Sequence, residues 1–258
     1  MNKRTSPIFL ALAVLAVVTL ACGQVAEPTP TPTPMPTSTQ TNTPEPTATA
    51  TNTPKPTNTP KPTATPNIAA TQRIEEFNAL LAEYLDNGYV ASTEGEITDL
   101  DDFEADWAQL GWYQWWPQQE VYNDFVFKGH LSWSSASNTP EISGCGVAFG
   151  LQENNDHYAV FIDKGRIVFL MGRGSNVYEV GKTRGSGRLS FGNPAETELI
   201  VSVKGQSAYV SVGGDVTEYT LSADQTSRGT FAFSVLSGTN KDYGTHCEMT
   251  DMQLWVAK

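Results

Sequence analysis

The chain has 258 residues and a formal net charge of −12 at pH 7, from 16 basic and 28 acidic residues. Residues 67–258 hold 12 of the basic and 26 of the acidic residues, a net charge of −14. Nucleic acid and anionic lipid surfaces both need a basic face, so we predict no nucleic-acid partner. The charge fits an exported, soluble domain whose ligands are neutral glycans or cations.

The N-terminus has the parts of a bacterial export signal. Lys3 and Arg4 precede an apolar run from Ile8 to Ala21, and Cys22 follows directly. The run is 14 residues long. That length suits the core of a signal peptide and is short for a bilayer span, which needs about 20 residues. An uncleaved anchor helix is the alternative.

The stretch Leu20-Ala21-Cys22-Gly23 resembles the lipobox of bacterial lipoproteins, in which a small residue precedes an invariant Cys. It departs from the common pattern, because Thr19 stands where Leu is usual. The resemblance implies that residues 1–21 are removed as a lipoprotein signal peptide and that Cys22 receives lipid. We therefore expect the protein at the cell surface or the periplasmic face, attached to a bacterial membrane through this lipid.

Residues 22–66 are predicted to form a disordered Thr/Pro-rich tether. The tract 28–66 contains 12 of the 16 prolines and 15 threonines, and the unit Thr-Asn-Thr-Pro-Lys-Pro occurs at 51–56 and again at 57–62. Alternating prolines favour polyproline II at about 3.1 Å per residue, so this tract reaches about 120 Å when extended. The composition is typical of a stiff spacer, and a Pro-rich ligand for a partner domain is the alternative.

Residues 67–88 are predicted to form one amphipathic helix. Ile74, Phe77, Leu81 and Tyr84 recur at helical spacing. Such spacing places the four side chains on one face. We expect that face to dock on the domain that follows. Pairing with a second copy of the helix is the alternative, so the sequence leaves the oligomeric state open.

Beyond residue 88 the apolar period changes to two, which indicates strands. Asn154-Asn155-Asp156 and Gly213-Gly214-Asp215 are two of the turn signals that separate them. About ten short strands without an intervening helical pattern predict an all-β domain over residues 89–258. The expected architecture is an antiparallel two-sheet jelly-roll sandwich. The alternating segments include 125–133, 147–151, 158–162, 167–171, 199–203, 208–212, 231–235 and 252–256.

The cysteines suggest one disulfide. With Cys22 lipidated, Cys145 and Cys247 remain, and export permits a bond between them. Two buried free thiols are the alternative. We predict no metal site, because two distant Cys and three scattered His do not supply a ligand set with metal-site spacing. No cofactor is predicted either.

Three segments carry a resemblance to a known superfamily: NDFVFKGHLSW at 123–133, GCGVAFGLQENNDHYAVFIDKGRIVFLM at 144–171 and CEMTDMQLWVA at 247–257. In this order they resemble the strands of the concanavalin A-like lectin/glucanase superfamily. Some relatives of this kind are keto-disaccharide hydrolase-type domains. The resemblance implies the sandwich fold and a carbohydrate-related activity.

Acidic residues and one His were the candidates for chemistry. Laminarinase-like members of the superfamily carry Glu-x-Asp-x-x-Glu on one strand, where the carboxylates share a face. That spacing does not occur here, and Glu104 and Asp106 lie in an acidic, loop-like stretch without a third partner. We interpret Asp156 and His157 as a solvated turn, with a cation or a sugar hydroxyl as the alternative. No catalytic residue is predicted.

An aromatic string that begins at Trp112 is the candidate ligand site. It reads Trp-Tyr-Gln-Trp-Trp, and four of the six Trp lie within ten residues. Flat rings suit the C–H faces of sugars, and Trp and Tyr keep a polar edge. We predict glycan contact by Trp112, Tyr113, Trp115 and Trp116, with packing on the core as the alternative. Alternation places Trp112 and Trp116 on one face and the other two on the opposite face, so we expect at most one pair to be exposed.

These patterns together predict a lipid-anchored, non-catalytic surface module that binds carbohydrate. Two other functions stay open. One is a glycoside hydrolase of the keto-disaccharide hydrolase type, which depends on the resemblance alone. The other is a structural or adhesion domain that binds protein, for which a large exposed apolar patch would be the evidence.

Overall fold

A computed structural model describes residues 68–137, 142–185 and 192–258. The predicted signal peptide, Cys22 and the Thr/Pro tether lie outside these residues. The described residues form one helix and fourteen strands in two antiparallel sheets. The predicted fold class, an all-β jelly-roll sandwich preceded by one helix, is confirmed.

The elements follow one another without a second helix in the described residues. The helix α1 spans Ile68–Asp86. The strands are β1 Gly95–Asp99, β2 Phe103–Trp107, β3 Trp112–Tyr122, β4 Phe125–Ser135, β5 Gly144–Leu151, β6 His157–Asp163, β7 Arg166–Arg173, β8 Asn176–Glu179, β9 Arg184–Gly185, β10 Ala195–Lys204, β11 Ser207–Val212, β12 Asp215–Thr220, β13 Gly229–Ser237 and β14 Thr245–Ala257.

The chain passes repeatedly between the two sheets. Sheet A has the spatial order β1-β14-β4-β10-β11-β12, with β2 also paired to β14. Sheet B has the order β3-β13-β5-β6-β7-β8, with β9 paired to β7. The last strand therefore lies beside the first strand of the domain, and β4 and β5, which are consecutive in sequence, belong to different sheets.

The main core lies between the two sheets. Inward-facing residues of both sheets meet there, as the alternating pattern predicts. The ring of Phe125 in sheet A lies 5.5 Å from that of Phe149 and 5.7 Å from that of Phe231, both in sheet B. Edge-to-face contacts of this kind add to the free energy gained from burial of the rings.

The disulfide between Cys145 and Cys247 is confirmed. Cys145 belongs to β5 of sheet B and Cys247 to β14 of sheet A, and their Cα atoms are 5.6 Å apart. Both residues are fully buried in the main core. The bond therefore joins the two sheets covalently across the sandwich.

The helix docks on the outer face of sheet A, as expected. Phe77, Leu81 and Tyr84 are buried there in a second apolar cluster that includes Trp255 of β14. Ile74, which the spacing places on the same face, is 44% exposed and lies outside this contact. The docked helix thus gives sheet A an apolar layer on both sides.

The Trp-rich segment forms β3, a strand that the period of two does not reveal. It pairs with β13 alone and lies at the edge of sheet B. An edge strand tolerates Pro117, because one side of the strand needs no ladder hydrogen bonds. The position of β3 brings its aromatic side chains to the rim of the sheet.

Candidate functional site

Three alanines lie side by side across the outer face of sheet B. Cross-strand pairs join Ala232 on β13 to Ala148 on β5, and Ala148 to Ala159 on β6. All three are fully buried, and Tyr113 and Trp115 pack against the cluster that they form. Larger side chains in this row would occupy the space that the two rings now fill. The small side chains of the alanine row therefore leave room on this face for the rings of Tyr113 and Trp115.

Alternation along β3 sends its rings to opposite sides of sheet B. Tyr113 and Trp115 lie on the outer face, over the alanine row. Trp116 lies on the inner side and packs on the main core, with its ring centroid 5.3 Å from that of Phe103. Trp112, the first residue of the strand, is 53% exposed.

A cavity of about 390 Å³ opens beside these rings on the outer face of sheet B. The turn before β6 and the turn between β7 and β8 complete its wall. None of the side chains that line it is charged. The lining residues include Trp112, Tyr113, Trp115, Asn155, His157 and Val177.

A second cavity, of about 510 Å³, shares Trp115 and Asn155 with the first. Its lining carries one carboxylate, Glu153, and one guanidinium, Arg228, next to apolar residues such as Leu151. We call the two cavities together the groove. Each has the size of an ordinary small-ligand site, roughly 300–1,000 Å³.

His157, the first residue of β6, is 3% exposed and is held at both ring nitrogens. Nδ1 lies 2.7 Å from the carbonyl oxygen of Asn155, and Nε2 lies 2.6 Å from Tyr113 Oη. A carbonyl only accepts, so Nδ1 donates, and in the neutral ring Nε2 accepts the hydroxyl proton of Tyr113. Burial lowers the pKa of His157 and raises the pKa of Tyr113, so both groups stay neutral at pH 7.

The surroundings of His157 leave its ring little freedom. A Cβ atom on Gly172 would lie 2.1 Å from Cε1 of His157, so only glycine leaves room for the ring. Gln225 Nε2 donates to the carbonyl oxygens of His157 at 2.9 Å and of Gly172 at 3.1 Å. The Trp115 ring centroid lies 4.6 Å from that of His157. These contacts hold the ring in one orientation.

The interpretation of Asp156 and His157 as a solvated turn is wrong for His157. Its side chain is buried against Tyr113 and Trp115 on the outer face of sheet B, while Asp156 stays in the turn and accepts a hydrogen bond from the Gly174 amide at 2.8 Å. A sequence signal was present in the unbroken apolar run from Tyr158 to Ile162. Such a run is typical of a strand buried on both faces.

The structure brings together three of the four residues predicted to contact a ligand. Trp112, Tyr113 and Trp115 line the groove. Trp116 packs on the core instead, because its phase on β3 is opposite to that of Tyr113 and Trp115. Trp112 shares the phase of Trp116 but is the exposed first residue of the strand, where it reaches the groove. Ligand contact by the first three stays a prediction, and Trp116 lies outside the groove.

A second polar cluster lies on the solvent side of sheet A. The expectation of a loop-like stretch is wrong, because Glu104 and Asp106 lie on β2, opposite Glu248 and His246 of β14. His246 Nδ1 is 2.8 Å from Asp106 Oδ1, and Nε2 is 3.1 Å from Glu248 Oε1 and 3.8 Å from Glu104 Oε1. Hydrogen bonds to Glu248 and Asp106 raise the pKa of His246. The carboxylates thereby stabilise the imidazolium form.

This cluster contains three residues that together could hold a metal ion. Glu104, His246 and Glu248 each offer a ligand atom, and these atoms lie within 4.8 Å of one another. Two of the carboxylates that approach His246, Glu104 and Asp106, belong to β2, about 140 positions away, so local spacing in the sequence does not reveal the cluster. Of the two carboxylates in this set, Glu248 hydrogen-bonds to His246 at 3.1 Å, whereas Glu104 lies 3.8 Å from Nε2.

No helix within residues 68–137, 142–185 and 192–258 is both long and apolar enough to span a membrane. Neither a protein-family model nor a curated protein matches the sequence.

Several solved structures are similar to this chain. The carbohydrate-binding module CBM66 from Bacillus subtilis is 10% identical with a TM-score of 0.45, and the match covers 61% of this chain and 94% of that one. The β-glucanase of Bacillus licheniformis is 11% identical with a TM-score of 0.41, over 55% of this chain and 70% of that one. The fructosyltransferase from A. japonicus is 14% identical with a TM-score of 0.42, over 63% of this chain and 26% of that one.

Proposed function

We propose that residues 89–258 form a non-catalytic carbohydrate-binding module whose ligand occupies the groove. The observation that carries this proposal is the position of Trp115, which lines both cavities and packs over the alanine row. A Trp ring in that position stacks against the C–H face of a sugar. The rest of the groove supplies amide and hydroxyl groups, which suit sugar hydroxyls.

The charge of the groove favours binding of a neutral saccharide over its hydrolysis. Glycoside hydrolysis uses two carboxyl groups, one on each side of the scissile bond. Among the described residues that line the groove, Glu153 is the single carboxylate, and it belongs to the larger cavity. The smaller cavity has an uncharged lining, which suits an uncharged ligand.

We propose in addition that the protein is a lipoprotein anchored through Cys22 at the cell surface or the periplasmic face. The basic start, the apolar run and the lipobox-like stretch support export and lipidation. The Cys145–Cys247 disulfide agrees with an oxidising compartment. Cells expressing the full chain and fed radiolabelled palmitate should label the protein, and Cys22→Ser should abolish the label. A Cys22→Ser chain that is still labelled would contradict lipidation at this residue.

Glycan binding is tested with the full chain as processed by the expressing bacterium. On an array of neutral polysaccharides we expect binding to at least one, and Trp115→Ala should weaken it at least tenfold, or about 1.4 kcal/mol. Tyr243→Ala is the matched control, because Tyr243 is a 40% exposed aromatic outside the groove lining. It should leave affinity unchanged.

Other outcomes would contradict the proposal, each in a different way. If the chain binds no glycan, or if Trp115→Ala leaves the binding intact, the groove is not a glycan-binding site. Cleavage of a bound glycan would instead identify a hydrolase. Capture of a purified surface protein without glycan binding would identify an adhesion domain.

A further inference from the structure

Tyr113 and His157 form a hydrogen-bonded pair in the wall of the smaller cavity. His157 Nδ1 donates to the Asn155 carbonyl at 2.7 Å, and Tyr113 Oη donates to Nε2 at 2.6 Å. A phenol has one proton to donate and lone pairs that accept. Because its proton is committed to His157, the oxygen of Tyr113 can only accept a hydrogen bond from anything else.

The direction of these two bonds cannot be reversed at low cost. In the reversed arrangement Nε2 would carry the proton, and the lone pair of Nδ1 would face the Asn155 carbonyl oxygen. The buried Nδ1 and the part-buried carbonyl oxygen, 2.7 Å apart, would then lack a proton between them, which costs the hydrogen bond and adds repulsion. The ring cannot rotate to escape, because Gly172 and Trp115 enclose it.

We infer that Tyr113 determines the specificity of the groove by accepting a hydrogen bond from a hydroxyl of an uncharged saccharide stacked on Trp115. The inference rests on the proposed function. The ring centroids of Tyr113 and Trp115 are 5.9 Å apart, so one sugar unit can contact both. His157 is a positioning residue, because its Nε2 accepts the Tyr113 proton and thereby fixes the direction in which the hydroxyl donates.

The selection follows from what the ligand presents to Tyr113 Oη. A sugar hydroxyl supplies the proton that the oxygen needs. An ether oxygen at the same place has no proton to donate, so it faces Tyr113 Oη as a second acceptor. Both oxygens are then left without a hydrogen bond when water is excluded. The groove therefore distinguishes a free hydroxyl from an O-methylated one.

The direction of the two hydrogen bonds of the His157 ring can be tested without a ligand. Nitrogen NMR of the full chain at pH 7 should show His157 as a neutral ring protonated at Nδ1, assigned by loss of its signals in His157→Asn. Tyr113→Phe should shift the Nε2 resonance and leave Nδ1 protonated. A ring protonated at Nε2, or an imidazolium, would overturn the inference whatever the ligand is.

The selectivity is tested with laminarin, mixed-linkage β-1,3-1,4-glucan and inulin, each also in an O-methylated form. Whichever of them the full chain binds, we expect the methylated form to bind at least tenfold more weakly. Tyr113→Phe keeps the ring and should bind the free form about tenfold more weakly, because one hydrogen bond contributes about 1.4 kcal/mol. The affinities of this variant for the free and the methylated form should then lie within about threefold of each other.

His157→Phe is the second variant, because it keeps a buried ring and releases the Tyr113 proton. The ratio between its affinities for the free and the O-methylated glycan should be smaller than in the parent chain, although Tyr113 remains in place. Equal affinities of Tyr113→Phe and the parent chain would refute the role of Tyr113 but leave the glycan-binding function standing. Failure to bind these three glycans and every polysaccharide of the array would refute both. Thermal melting of each variant establishes that it is folded.

Discussion

Two histidines in this protein have opposite surroundings and opposite charge preferences. His157 is enclosed by Tyr113, Trp115 and Gly172, and its pKa is lowered because burial disfavours the charged ring. His246 lies among carboxylates at the surface, and its pKa is raised by hydrogen bonds to Glu248 and Asp106. The same residue type therefore serves as a neutral hydrogen-bonding group in the groove, whereas on sheet A its surroundings favour the charged form.

The raised pKa of His246 predicts a pH-dependent stability. Its folded-state pKa lies above the unfolded value of 6.5, so its contribution is full below pH 6.5 and is lost as pH rises through the folded pKa. We expect His246→Gln to lower the free energy of unfolding by about 0.2–1 kcal/mol at pH 6, because the pairs are solvent-exposed, and by close to zero at pH 9. Urea unfolding at the two pH values measures this difference.

Asp106→Asn is the companion variant for this prediction. It removes the negative charge of one of the two hydrogen-bonded carboxylates that raise the pKa of His246. We expect it to reduce the pH dependence of stability without abolishing it, because Glu248 remains. A loss from His246→Gln that is equal at pH 6 and pH 9 would show that the charge of this ring does not contribute to folding.

At the scale of elements, the helix α1 and the strand β3 cover the outer faces of the two sheets in different ways. The helix buries Phe77, Leu81 and Tyr84 in a closed apolar contact on sheet A. The strand β3 covers sheet B only in part, with two rings over the alanine row and cavities beside them. The outer face of sheet A is therefore closed by the helix, and the outer face of sheet B carries the groove.

The docked helix predicts a large loss of stability on truncation of its central side chain. Phe77 is fully buried against sheet A. Phe77→Ala should lower the free energy of unfolding by about 3–5 kcal/mol, as expected for a buried Phe. Glu76→Ala, one residue away and exposed, should change it by less than about 0.5 kcal/mol. Chemical denaturation of both variants checks the pair, and equal effects would mean that the helix does not dock.

Elements with a clear period were predictable from sequence, and those defined by a neighbour were not. The strands β4 to β7 alternate or are wholly apolar, so the pattern locates them. The strand β2 is short and acidic, and it is recognisable only once β14 pairs with it. The helix face was predictable because its apolar residues recur at helical spacing from Phe77 to Tyr84.

The candidate site was predictable to a similar extent. The aromatic string on β3 was visible, and alternation correctly separated Tyr113 and Trp115 from Trp116. The role of His157 was not visible, because its partner Tyr113 is 44 residues away and belongs to a strand three places across the sheet. Contacts of that kind depend on strand order and sheet curvature, neither of which a local pattern encodes.

At the scale of the whole molecule, the two sheets are held together by the buried core and by one disulfide. The bond closes a loop with a sequence separation of 102 residues. Closing a loop of about 100 residues removes unfolded-state entropy equivalent to as much as about 4.7 kcal/mol. Removing the bond therefore acts mainly on the unfolded chain.

Cys145→Ala with Cys247→Ala should lower the free energy of unfolding by about 2–4 kcal/mol and leave the fold intact. The far-UV spectrum should stay that of a β protein, and guanidinium denaturation gives the loss. Dithiothreitol added to the parent chain should reproduce most of the effect, which controls for the two side-chain changes. A double variant as stable as the parent would show that the core alone joins the sheets.

The disulfide also has a mechanical consequence. The helix, where the described chain begins, lies on sheet A, whereas the groove lies on sheet B. A load applied between a bound ligand and the N-terminal end of the domain must cross from one sheet to the other. Cys145–Cys247 is a covalent link between the two sheets, so such a load does not depend on packing of the core alone to reach sheet A.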